Sequence, residues 1–547
     1  MVNKIIQASQ DFFNRKSNNI LSAAFIIGIS YLASAFLGLI RNHLLAARFF
    51  GGLEADLDVY FAAFVIPDTI FQLLVVGAIS AAFIPIYQDY TKKSEEEAND
   101  LANSALTTIG FFFFIISASV AIFARPLSGL IAHFSPEKLD LMANLVRLMS
   151  IAQLLFTVSA FLTGVLQSQR RFLMPAIAPL LYNIGTIIGV FFLSPSLGIY
   201  SAAVGVVFGS ILHMAIQIPT SLAIGYYPKI KINPKHPGVL AMLKLMPPRS
   251  LALGLNQIER WVAINLTSLL AAGSLSIFHF ARQLYILPIS LFGVSLSQAS
   301  FPALSEEAGS LDKSKYKNIL SKSILQIFFF ALPASVLILI LRVPLVRIAF
   351  GAKSFPWEAT LTTGRALAFL SLTIAPQAVN QVLTRALHAL KDTKTPVYTG
   401  IATMISFVSL AFLFGHFNLG IIGITIAMSL SNLVDFFLLY WIVRCRVGAL
   451  GISSRILKMI IASAATAVSL WIPMRLLDQL VFDTTRTVPL ILLTLTASMV
   501  GFSVYLLFCA FFKIEELNEV ISIAKKLGNW RKILVSTDEV IEAPGSE

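Results

Sequence analysis

The chain has 547 residues, 57% of them hydrophobic and only 13% charged, with a mean hydropathy of +0.80. Soluble globular proteins carry roughly 25% charged residues, so this composition excludes one; apolar runs of about 20 residues, long enough to cross a bilayer, recur from end to end. The formal charge of +13 does not point to nucleic acid, because Lys and Arg collect in alternate loops, the positive-inside pattern of a polytopic membrane protein.

The pattern of apolar runs, broken by Gly, Pro and charge clusters, predicts an all-α polytopic membrane protein with 14 transmembrane helices. Residues 1–19 read as a cytoplasmic segment, retained because the apolar run behind them is too long for a signal peptide. Spans are predicted over 20–48, 57–89, 101–124, 138–168, 173–194 and 198–226. They continue over 239–271, 274–304, 316–350, 357–390, 394–415 and 418–443, and close with 455–480 and 486–512. An even number of spans puts both termini on one side. With that side in the cytoplasm, the outside segments hold only Arg48, Arg125, Lys138, Arg347, Lys353, Arg475 and Arg486 of the basic residues in the loops, so both termini are expected inside.

The first two predicted helices carry the first candidates for function. Arg41 lies well inside LGLIRNHLLAARFFG and Asp58 heads DVYFAAFVIP. A charge near the bilayer centre costs on the order of 3 kcal/mol, so a helix that keeps one turns it toward a bundle interior or a water-filled cavity. Mutual pairing of Arg41 and Asp58, or snorkelling to an interface, is the structural alternative.

Further along, LTGVLQSQRRFLMP (Leu162 to Pro175) matches LTRALHALKDTKTP (Leu383 to Pro396) in layout: an apolar helix end, a short basic turn, and a proline opening the next helix. The offset, 221 residues from Leu162 to Leu383, spans an even number of helices and so implies a parallel repeat. The order Pro67, Gly77, Pro85 against Pro288, Gly293, Pro302 supports it more weakly. The chain thus divides into an N-lobe over 20–226, a C-lobe over 239–443 and an appended pair of helices over 455–512. Gly185 with Gly189, and Gly205 with Gly209, permit close helix contact. Over 513–547, Ile514, Leu517, Val520, Ile521, Ala524 and Leu527 suggest an amphipathic cytoplasmic surface helix, followed by a polar tail.

Enzyme chemistry has little to stand on. There is no HExxH, no phosphate-cradling glycine loop and no GxSxG turn, and Cys445 and Cys509 have no metal or disulfide spacing, so no cofactor or metal is expected. A membrane-embedded transferase using Glu54, Asp56 and Asp58 is the enzymatic alternative. Polar content instead gathers in the counterpart helices 1, 2, 7 and 8: Asn256, Gln257, Glu259 and Arg260 in LGLNQIERWVAINL, and His279, Arg282 and Gln283 in SIFHFARQLYILP. Transporters made of two similar halves bind substrate near the midplane between them. Arginine there grips phosphate or carboxylate through two parallel hydrogen bonds and stays charged at any physiological pH, which predicts an anionic substrate. Local pairing of Glu259 and Arg260 is the alternative.

The stretches LGLIRNHLLAARFFG, DVYFAAFVIP, GAISAAFIPIY, FLMPAIAPLLYNIG, AAGSLSIFHFARQLYILPISLFGVSLSQASFPALS and, most specifically, ALHALKDTKTPV resemble the MurJ (MviN) family of lipid II flippases, within the multidrug, oligosaccharidyl-lipid and polysaccharide exporter superfamily. The resemblance implies alternating-access transport of an undecaprenyl-pyrophosphate-linked disaccharide-peptide to the outer leaflet of the bacterial inner membrane. The lipid tail would lie in a groove towards the last two helices. Membrane lipids are implied as partners, with cell-wall synthesis proteins as further candidates. Without an ATP motif, the drive falls to an ion gradient or the membrane potential.

Carried over residue by residue, the resemblance places Arg41 in a central cationic cavity and Asp58 at the start of the second helix. Arg41, Arg282 and Arg260 are then expected to hold the pyrophosphate, Asp58 and Gln283 to orient or gate, and Asn42, Glu259 and Gln257 to complete the site. The chain departs from the family pattern at Ala35, Asn42, Phe71, Gln72, Val76 and Gln283, where charged residues are usual, and Arg282 stands one residue before the usual arginine position. Two other readings stay open: a same-fold exporter of another polyprenyl-linked glycan or of drugs, and a non-transporting scaffold in envelope assembly.

Overall fold

The computed structural model describes residues 20–76, 79–309, 312–478 and 481–518. The N-terminal segment expected over 1–19 lies outside the described residues, as does nearly all of the surface helix and tail expected over 513–547. Among the described residues every regular element is helical. The first are α1 (Ile20–Phe49), α2 (Glu54–Phe71), α3 (Ile84–Thr91), α4 (Glu95–Ile122), α5 (Ala124–Ile131), α6 (Pro136–Ser168) and α7 (Leu173–Leu197). Then come α8 (Tyr200–Ala215), α9 (Ile218–Ala223), α10 (Pro237–Thr267), α11 (Ser274–Pro288), α12 (Ser295–Glu307), α13 (Ser314–Ile340) and α14 (Arg342–Phe350). The series ends with α15 (Trp357–Ser371), α16 (Ile374–Ala389), α17 (Lys394–His416), α18 (Gly420–Val447), α19 (Ser453–Leu477) and α20 (Thr487–Phe511).

Among the described residues twelve helical segments are long and apolar enough to cross a membrane, and α15 with α16, bent by 45° at a short break, makes a thirteenth when the pair is counted as one span. The span that the sequence places at 239–271 is α10. Its 31 residues are ample in length for a span, and Gln257, Glu259 and Arg260 make its second half polar. A helix of that kind belongs against protein or a wet cavity.

The described residues fall into two compact units, one drawn from Met1–Gln283, Ala349–Ala366 and Gly400–Met428, the other from Leu284–Ile348, Leu367–Thr399 and Ser429–Glu547. In the first, Phe83, Leu101, Phe113, Phe161 and Tyr226 form the centre of an apolar core. The close approach expected of the small-residue pairs is present there: a Cβ on Gly185 would fall 2.4 Å from the Gly209 α-carbon, and one on Gly189 would fall 2.4 Å from the Gly205 α-carbon. The backbones of α7 and α8 therefore touch, and only hydrogen fits between them. In the second unit, Tyr505 of α20 donates to the Phe329 carbonyl of α13 at 2.8 Å.

Local geometry repeats along with the sequence. After α6, Arg170 has φ 60° and the Arg171 amide reaches back to the Leu166 carbonyl at 2.8 Å; after α16, Lys391 has φ 61° and the Asp392 amide reaches the Leu387 carbonyl at 2.9 Å. Both are left-handed helix caps with a basic residue where glycine is usual, and they lie at the offset of the sequence match. The second helix of each half also carries a π-helical turn after a proline, Gln72–Val76 after Pro67 and Ile289–Val294 after Pro288, where the missing donor loosens the ladder.

The turn that follows the second cap is tied down by Asp392. Its carboxylate accepts from the amides of Lys394 (3.1 Å) and Thr395 (3.0 Å) at the start of α17 and pairs with Arg446 Nη1 at 2.5 Å. Partial burial pushes this carboxyl up, but the Thr395 hydroxyl and amide, the Arg446 guanidinium and the Lys394 amide outweigh it and hold it below its ordinary value.

Candidate functional site

A membrane-spanning helix that carries an arginine must orient it, and α1 does so through amides. Arg41 Nη1 donates to Asn183 Oδ1 of α7 at 3.1 Å and Nε donates to Asn42 Oδ1 at 3.2 Å. Asn183 is itself fixed, because its Nδ2 faces the Pro179 carbonyl and Ser34 Oγ, both at 3.1 Å, which turns Oδ1 toward the guanidinium. The guanidinium lies 5.9 Å from the Tyr182 ring centroid, within cation–π range. Two of its five N–H groups are thus committed to amide oxygens, the Tyr182 hydroxyl is also within its hydrogen-bonding reach, and no carboxylate pairs with it among the described residues, which leaves donors for a ligand. One turn earlier, a Cβ on Gly38 would lie 3.8 Å from Gln283 Nε2 and 3.9 Å from Asn183 Oδ1, so this glycine leaves the space beside Arg41 open.

On the other side of the space, α11 contributes His279, Arg282 and Gln283. Asn42 Nδ2 donates to Gln283 Oε1 and lies 3.5 Å from His279 Nε2, while the His279 ring stacks on Phe61 of α2 with centroids 4.0 Å apart. Arg41, Arg282 and Arg260 are all close enough to His279 to act on it electrostatically. Arg282 Nη2 stands 3.8 Å from Glu259 Oε1, a loose ion pair, and its Nε is buried with no hydrogen-bond partner among the described residues. Arg260 Nη1 donates to Asp68 Oδ2 of α2 at 2.8 Å. Beside that pair, Trp261 Nε1 donates to Thr69 Oγ1 (2.9 Å), which in turn lies 3.4 Å from Oε1 of the buried Gln257.

Three guanidinium groups therefore face two carboxylates, Asp68 and Glu259, and the cluster keeps a net positive charge. Such an arrangement binds an anion; phosphate suits it, since several donors approach from different helices. Asp58 stands apart. It is buried, and its carboxylate accepts from the amides of Gly273 and Ser276 (both 2.7 Å) and from the Ser276 hydroxyl (2.6 Å), capping the start of α11 from α2. It does not pair with Arg41. The left-handed φ of 88° at Gly273 is what turns that amide toward Asp58.

The two departures at Asn42 and Gln283 prove to be one contact: the amides that stand where the family pattern has charges bond to each other. Asp68, Thr69, Tyr182 and Asn183 had no signal in the sequence that set them apart. Asn183 sits in an apolar run that reads as packing, and Asp68 gains its meaning only from Arg260, 192 residues away. Among the described residues no group of three or more His, Cys, Asp or Glu side chains could hold a metal ion.

A family profile described as "Lipid II flippase MurJ" matches residues 46–504. A "Probable lipid II flippase MurJ" of Thermotoga maritima is 27% identical over 499 residues, covering 91% of this chain and 97% of that protein. A "Lipid II flippase MurJ" of Burkholderia cenocepacia is 28% identical over 400 residues, 71% of this chain and 77% of the other. A solved structure described as "Lipid II flippase MurJ, inward closed conformation" matches with a TM-score of 0.73 at 26% identity, over 89% of this chain and 98% of that one. An inward-facing multidrug resistance MATE family transporter matches with a TM-score of 0.65 at 16% identity, which shows a common fold alone. A profile match over most of the chain, on a multi-span helical transporter fold, fixes the family: this chain belongs to the MurJ family of lipid II flippases.

Proposed function

We propose that this protein carries lipid II from the cytoplasmic to the outer leaflet of the bacterial inner membrane by alternating access, with both termini in the cytoplasm. The observation that carries the reading is Arg41, a mid-span guanidinium oriented by Asn183 and Asn42 and left without a carboxylate. An unpaired charge of this kind is expensive in a membrane, and an anionic headgroup passing through offsets the cost. Arg41 and Arg282, the latter with a spare buried donor, hold the pyrophosphate. Arg260 joins them when Asp68 releases it. Gln283 positions Asn42, Gln257 braces Thr69 and Trp261, and Glu259 restrains Arg282 until substrate arrives. Asp58 acts further out, locking the head of α11 to α2 rather than touching substrate.

The undecaprenyl tail stays in lipid beside the last two helices, and cell-wall synthesis proteins are the natural neighbours of the released product. Drive comes from an ion gradient or from the membrane potential, the latter worth about 2.3 kcal/mol per charge per 100 mV; no organic cofactor takes part. One observation favours a second reading. The neutral Asn42–Gln283 pair replaces charges usual in the family, and it suits a polyprenyl-linked glycan other than lipid II.

Complementation separates these readings. In cells depleted of their own lipid II flippase, this chain is expected to restore lipid II on the outer leaflet and Arg41→Ala to abolish the rescue. Rescue of growth by Arg41→Ala together with Arg282→Ala would favour a scaffold and remove the cavity mechanism. Failure of the well-expressed wild-type chain would assign another cargo.

A further inference from the structure

A second basic site lies at the C-terminal end of α1, two turns beyond Arg41. A wide-open surface pocket of about 490 Å³ is lined by Leu44, Ala47, Arg48, Ala352, Lys353 and Ser354, room enough for a headgroup to rest on it. Arg48 is the penultimate residue of a candidate span, which puts it where headgroup phosphates lie. It follows Arg41 by seven residues, two helical turns, and so shares its face about 10 Å further along the axis.

Three of the other basic residues on this side are paired with carboxylates, while Arg475, like Arg48, lies over an aromatic ring, that of Trp471 at 5.9 Å. Of those that the loop charges place outside, Arg125 pairs with Asp140, Lys138 with Asp56, and Arg486 with Asp483. Arg48 and Lys353 have no carboxylate partner among the described residues, and Arg48 is instead propped over the Phe191 ring at 5.7 Å.

The pocket is also built rather than incidental. Ser354 Oγ donates to the Ala47 carbonyl at 2.6 Å, His43 Nδ1 donates to the Ala349 carbonyl at 3.1 Å, and a Cβ on Gly51 would meet the Ser354 carbonyl oxygen at 2.7 Å. Below, Phe50 packs on Phe355 with centroids 4.7 Å apart, and Phe280 stacks on Phe350 at 4.5 Å. The segment carrying Lys353 is therefore clamped to α1, and the two cations are held at one opening.

The geometry points to a binding site for a lipid phosphate headgroup between Arg48 and Lys353. Arg48 supplies a planar fork and Lys353 a point charge, the combination that grips a phosphate from two directions. Its use as a station for the transported diphosphate, after Arg41, rests on the flippase reading; the binding site itself does not.

The test uses the purified full-length protein and native mass spectrometry, titrated separately with undecaprenyl diphosphate and with phosphatidylglycerol. The variants are Arg48→Gln with Lys353→Gln, and Lys229→Gln as a control for surface charge, each checked for an unchanged thermal midpoint. The double variant is expected to weaken binding at least tenfold and the control to leave it alone. A loss confined to undecaprenyl diphosphate assigns the site to the transported lipid, and a loss for phosphatidylglycerol assigns it to the surrounding membrane. Unchanged binding of both overturns the site, whatever the transport assays show. A loss of binding in a chain that fails complementation keeps the site and discards the station.

Discussion

Replacing Arg41 with lysine separates geometry from charge. The guanidinium satisfies Asn183 Oδ1 and Asn42 Oδ1 at 3.1 and 3.2 Å and still presents further donors. A lysine ammonium has three donors from one point and cannot keep both amide contacts while meeting a phosphate. At about 1 kcal/mol for each hydrogen bond lost, the change is about 2 kcal/mol, or roughly 30-fold in transport. Arg41→Ala also removes a charge-assisted contact to the headgroup, and the loss rises beyond about 100-fold. The assay is flipping of lipid II by purified protein in proteoliposomes, read as exposure of the headgroup to an external probe, with thermal unfolding as the control for folding. Wild-type transport by Arg41→Lys would refute the claim that the fork matters, and wild-type transport by Arg41→Ala would refute the site.

Three further outcomes are expected. Gly209→Val places carbon against the Tyr182 carbonyl oxygen, 2.5 Å from the site of a Cβ, and should destabilise the protein by about 3 kcal/mol, seen as a lower thermal midpoint in detergent; an unchanged midpoint means that α7 and α8 can part. Asp68→Asn frees Arg260 from a partly exposed ion pair, changes folding by no more than about 1 kcal/mol and tightens binding of undecaprenyl diphosphate several-fold, while Arg260→Gln weakens it; equal affinities in the two variants reduce Arg260 to a structural tie. Because Asp392 is held below its ordinary value in the fold, the stability it contributes is present above the unfolded carboxyl range, near pH 4, and is lost as pH falls through the folded value. Asp392→Asn should lower the neutral-pH midpoint by the equivalent of about 1 kcal/mol and flatten the acid limb, and an acid limb identical to wild type would refute the assignment.

Much of this was legible in the residue order because lipid imposes a coarse rule. Length and hydropathy mark a span whatever its neighbours are, and the basic turns at Arg170 and Lys391 repeat in sequence and in backbone. The rule fails where a helix is sheltered by protein. α10 has the length of a span and, at Gln257, Glu259 and Arg260, the polarity of a cavity wall. Arg41 stood out because a charge in an apolar run has no ordinary explanation. Asn183 did not, because one amide among leucines usually satisfies its own helix, and only the fold brings it to Arg41. Asp58 was misleading in the opposite sense: the sequence shows a charge at a helix head, but not that three donors from Gly273 and Ser276, at the head of α11, already occupy it.

The contact between α7 and α8 bears on how a transport cycle can be watched. Four glycines in register leave no groove in which one helix could slide, since a shift of a single residue would drive Val206 or Phe208 into the opposing backbone. The two helices therefore travel as one plank, and a spectroscopic label on either reports the position of both. Labels placed one on each would read a fixed distance throughout the cycle, an internal ruler against which any moving element can be calibrated.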